Sequence, residues 1–64
     1  MLYRVVLIFP DTESLSGFIE YWQVAGEVDG NEYTYVGDLN EEQIRTAHLL
    51  FGAYVRVMRN CENL

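Results

Sequence analysis

A chain of 64 residues with ten Asp and Glu, four Arg and no Lys carries a net charge of −6, so its field repels nucleic acid and anionic membrane. One domain is the most it can form. A domain of that size buries only about 60% of the surface its unfolded chain exposes, and its core is worth only a few kcal/mol. No disulfide pair or zinc spacing staples it, which leaves idealised packing or a core shared between protomers; with 50% of the residues apolar and 14% aromatic, more apolar surface is present than one protomer is expected to hide.

Residues 3–9 read Tyr-Arg-Val-Val-Leu-Ile-Phe and are stopped by Pro10. They are β-branched and aromatic with a single charge, the pattern of a central strand. Asp11 is suited to cap a helix, with Glu13 in its first turn, where the dipole favours an acid. Leu15, Phe18, Ile19 and Trp22 then fall on one helical stripe, and the helix is expected to end at residues 21–23. Gly17 inside it marks a close approach to another backbone. Residues 24–28 and 32–38 flank Asp29-Gly30-Asn31, a hairpin signal in which Gly30 supplies a positive φ. Gly26 and Gly37 are expected at bulges. In the next segment Asn40 caps and Gln43 reaches back, with Leu39 and Ile44 as the hydrophobic staple. Ile44, Ala47 and Phe51 form the inward stripe, Leu50 and His48 flank it, Leu49 points elsewhere, and Gly52 ends the helix. Residues 54–58 alternate as a last strand, and residues 60–64 read as a frayed tail, so the domain spans 1–59.

The order strand, helix, strand, strand, helix, strand resembles the ferredoxin-like superfold, βαββαβ. That resemblance implies an α+β fold: a four-stranded antiparallel sheet in the order 4-1-3-2, with two helices on one face. It implies no activity, because the superfold hosts many.

Helices on one face leave the other bare. In the first strand Tyr3, Val5, Leu7 and Phe9 are expected to meet the helices, joined by Val55 and Val57. The bare face then carries Arg4, Val6, Ile8, Tyr54, Arg56 and Met58. A three-residue hairpin turn adds Tyr33 and Tyr35 beside Ala25 and Glu27. An apolar patch of this kind with a charged rim points to a homodimer, sheet against sheet.

No residue pattern marks an active site. His48, the single histidine, has no acid or Cys at i+3 or i+4 and reads as a half-buried structural residue. Cys61 is a lone thiol near the C-terminus, which fits a reducing compartment, and no signal segment is recognised, so the expected location is the cytoplasm. Asp11 with Glu13, and Asp38 with Glu41 and Glu42, are explained as caps and dipole partners, and no metal or cofactor is expected. Tyr33 and Tyr35 lack the basic-glycine-aromatic motif of RNA-binding sheets. The expectation is a non-enzymatic interaction module that self-associates, with no nucleic acid and no membrane as partners. Two alternatives stand beside it. One is a ligand-binding or catalytic dimer whose site lies between protomers and includes Tyr33, Tyr35, Tyr54 and Arg56. The other is an acidic mimic of nucleic acid that inhibits a basic protein partner.

Overall fold

Local chemistry sets the ends of every helix in the computed structural model, which describes residues 1–60. The carboxylate of Asp11 accepts from the Ser14 N–H at 2.8 Å and starts α1 (Thr12–Trp22). That hydrogen bond, with help from the Ser14 hydroxyl, holds the Asp11 carboxyl below its ordinary range. Gln23 closes α1 in the left-handed conformation, at φ 52°. Asn40 and Gln43 bond reciprocally to each other's backbone N–H, at 2.8 and 2.9 Å, and open α2 (Glu41–Phe51). Gly52 ends α2 at φ 70°, where a side chain would be strained. The ring of His48 then donates from Nδ1 to the Ala53 carbonyl at 2.9 Å, tying the helix end to the chain that leaves it.

The strands are β1 (Tyr3–Ile8), β2 (Glu27–Asp29), β3 (Thr34–Leu39) and β4 (Tyr54–Asn60). They form one sheet in the order β2-β3-β1-β4 with antiparallel neighbours, which is the expected 4-1-3-2 order counted from the other edge. The fold is therefore the ferredoxin-like α+β arrangement. One core fills the space between the sheet and both helices. Val5, Leu7 and Phe9 from β1 and its end meet Leu15 and Phe18 of α1, and Leu39 and Ala47 close the other side. Phe18 lies at its centre, with ring contacts to Phe9, Tyr35 and Phe51 at 5.3, 5.8 and 5.9 Å. Gly17 does mark a close approach, but to the side chain of Phe51 rather than to a backbone.

Two local irregularities change which residues face where. The hairpin turn holds four residues, 30–33, rather than three: Asp29 pairs with Thr34, and Glu27 with Val36. The Asp29 carboxylate accepts from the N–H groups of Asn31 and Glu32, and the positive φ of 54° falls on Tyr33, not on Gly30. Bent this way, Tyr33 turns its carbonyl to the Phe9 N–H at 2.8 Å. One extra residue reverses every side chain of β3 relative to the expectation. Tyr35 therefore lies in the core, 1% exposed, and the expectation that it stands on the bare face is corrected. Gly26 and Gly37 sit at no bulge of β3. They form the flat seat on which the Tyr35 ring lies.

The second irregularity is in β4. Leu7 pairs with Val55 but Val6 pairs with Val57, so Arg56 is the extra residue of a bulge. Beyond it the faces exchange. Val57 lies opposite Val6, on the bare side, and Met58 lies opposite Val5, on the helix side, the reverse of the expected placement for both. Asn60 is the last residue of β4 rather than the start of a tail; residues 61–64, Cys61 among them, lie outside the described residues.

Candidate interaction face

The uncovered face is built in rows, each read straight across the strands from the register. One row runs Glu27, Val36, Val6, Val57, with Arg56 bulged beside Val57. The next runs Asp29, Thr34, Ile8, Tyr54, and the third Asp38, Arg4, Arg59, where β2 has already ended. Val6, Ile8, Thr34 and Val36 are half-buried by their neighbours, whereas Tyr54 is 57% exposed and Val57 38%. The apolar part is thus a strip along β1 with Val36 on one side and Val57 and Tyr54 on the other.

Charge is sorted across this strip. The carboxylates Glu27, Asp29 and Asp38 lie on β2 and β3; Arg4, Arg56 and Arg59 lie on β1 and β4. Among the described residues the cross-strand pair of Arg4 and Asp38 is closed, Nε to Oδ1 at 2.8 Å, with both side chains about half exposed. The strands of this face hold three arginines and three carboxylates, so the net −6 of the chain is carried by residues elsewhere. A shallow hollow of about 300 Å³ opens over β3, walled by Glu27, Asp29 and Glu32 on one side and Arg56 on the other, with Thr34 and Val36 as its floor. Among the described residues, no carboxylate comes within ion-pair distance of Arg56.

Of the residues singled out in the sequence, the face brings together Arg4, Val6, Ile8, Tyr54 and Arg56. Tyr35 is in the core, Met58 is on the helix side at 52% exposure, and Tyr33 is in the turn at 38%. Sequence reasoning missed Thr34, Val36, Val57 and Arg59. A usable signal existed in β3: Asp38 has to reach solvent, and strand alternation then places Thr34 and Val36 with it and sends Tyr35 inward.

His48 is engaged with Ala53, and no group of three or more His, Cys, Asp or Glu among the described residues is arranged to hold a metal ion. No helix among them is long and apolar enough to cross a membrane. Comparison with protein-family models, curated proteins and solved structures found no match.

Proposed function

We propose that this chain is a small non-enzymatic binding module that works by pairing the open face of its sheet with that of a second copy. The observation that carries the reading is the strip Val6, Ile8, Val36, Val57 and Tyr54, left without a helix over it and set among strands whose three arginines and three carboxylates balance. Apolar area removed from water favours association at about 25 cal/mol/Å² before association costs. Strands about 4.8 Å apart and 6, 3, 6 and 7 residues long give a footprint of about 350 Å² per protomer. That is below the ~800 Å² per partner of standard interfaces and puts the contact in the class of weak, readily dissociating dimers. A single cysteine, Cys61, fits a reducing compartment, and we place the module in the cytoplasm.

Sedimentation from about 1 to about 500 µM tests this, the range in which such a dimer dissociates. The expected result is a shift from 7.4 kDa to twice that mass with rising concentration, abolished by Ile8→Glu with the circular dichroism of the fold retained. A single 7.4 kDa species throughout refutes the module.

A further inference from the structure

We infer that the two sheets pair with their strands running parallel, about a two-fold axis that lies along the strand direction, so that Arg56 of each protomer covers the carboxylate wall of the other. This rests on the self-association proposed above and states its geometry.

Two faces packed with their strands aligned and related by a two-fold axis between them can meet in two ways. With the axis across the strands through the row of Val6, each strand covers its own copy: Arg56 meets the partner's Arg56, and Glu27 meets the partner's Glu27. With the axis along the strands, strand order reverses between the layers and β4 covers the partner's β2. The registers make this second arrangement complementary row by row. In the row of Val6, reversal sets Arg56 and Val57 over the partner's Glu27, and Val6 over the partner's Val36. In the row of Ile8 it sets the Tyr54 hydroxyl over the partner's Asp29, a carboxylate that can accept from it. In the row of Arg4 it sets Arg4 over the partner's Asp38.

Every charged residue of the face except Arg59 meets an opposite charge or a donor, while at the centre Val6 meets the partner's Val36 and Ile8 its Thr34. The hollow beside Glu27 and Asp29 gives the partner's guanidinium somewhere to enter. Aligned packing of this kind is a standard mode of sheet-on-sheet contact. Like charges brought face to face by the other axis would oppose association. The β4 bulge is what allows the match: it lifts Arg56 onto the open face in the row of Glu27 and still leaves Val57 beside Val6 on that face.

Charge reversal tests this. Arg56→Glu and Glu27→Arg are each expected to weaken self-association by about tenfold or more, because each sets like charges together twice per dimer. Mixed in equal amounts, the two variants should form a heterodimer about as tight as the wild-type homodimer, since every contact is then complementary again. If each variant associates as the wild type does, Arg56 and Glu27 do not face each other across the dimer, and the inference falls while self-association stands. Folded variants that weaken singly and do not recover on mixing overturn it as well. A wild type that stays monomeric removes both. If a reversal unfolds the chain by circular dichroism, Arg56→Gln and Glu27→Gln replace it. Neutralisation weakens the dimer in the arrangement inferred here and strengthens it in the alternative, where it relieves a like-charge contact.

Discussion

Gly37→Ala puts the facing of β3 to the test. In an ordinary strand this change is favourable by about 0.5–1 kcal/mol, because glycine loses more freedom on folding than alanine. Here a methyl on Gly37 would stand 2.6 Å from the Tyr35 Oη, 2.9 Å from its Cζ and 3.0 Å from its Cε2. The same ring also blocks Gly26, where an added methyl would lie 2.5 Å from Cζ and 2.4 Å from the Val36 carbonyl oxygen. Tyr35 packs edge-on against Phe18 at 5.8 Å and is among the largest fully buried side chains, so its ring cannot shift without opening the core. Overpacking of this kind costs about 1–3 kcal/mol. Set against the backbone gain, the net loss is about 1–2 kcal/mol, from a domain whose total stability is about 3–5 kcal/mol. With a urea m-value near 1 kcal/mol/M for so small a protein, the midpoint should fall by about 1–2 M. In a Tyr35→Leu background the ring is gone, and Gly37→Ala should cost nothing; the coupling between the two changes should exceed about 1 kcal/mol. A Gly37→Ala midpoint equal to or above that of the wild type would mean that the Tyr35 ring is not seated on Gly37, and the core described here would be wrong.

Asn40→Ala removes one half of the reciprocal cap of α2 and is expected to lower stability by about 1 kcal/mol in urea or thermal melts, with Asn40→Asp close to neutral. Burial pushes the Tyr35 hydroxyl above its ordinary value of 10.0, and Asp38 adds to the shift while Arg4 offsets part of it. The folded state therefore holds its proton longer than the unfolded state does. The stability this preserves is complete below about pH 10 and is lost as the pH rises through the raised folded value. Tyr35→Phe should remove that alkaline loss in melts followed from neutral to strongly basic pH. Arg4→Ala breaks an ion pair that is about half exposed on both sides, so it should cost well under 1 kcal/mol and less at high salt, as urea melts with and without added salt would show.

Element order, helix boundaries and caps were legible in the residues because each is decided within a few positions. Asp11 and Asn40 satisfy N–H groups three residues on, and Gly52 offers the left-handed conformation where α2 has to stop. The apolar run of β1 likewise announces a strand paired on both sides, which is why the strand order could be anticipated. The facing of the other strands was not local in this sense. Asp29-Gly30-Asn31 suits turns of either three or four residues, and Tyr54 to Met58 alternates equally well in both phases until a bulge is placed. These choices differ little in local energy, but a change of one residue carries every following side chain to the other side of the sheet. What selected between them was the core. Only the four-residue turn lays the Tyr35 ring over two glycines and against Phe18, and the bulge at Arg56 changes the phase of β4 against β1 midway, returning Val57 to the open side. The sequence by itself therefore determined which segments are strands and helices and how they connect. The tertiary structure decided which side chains the open face presents, because burial of an aromatic ring outweighs the small preferences of a turn.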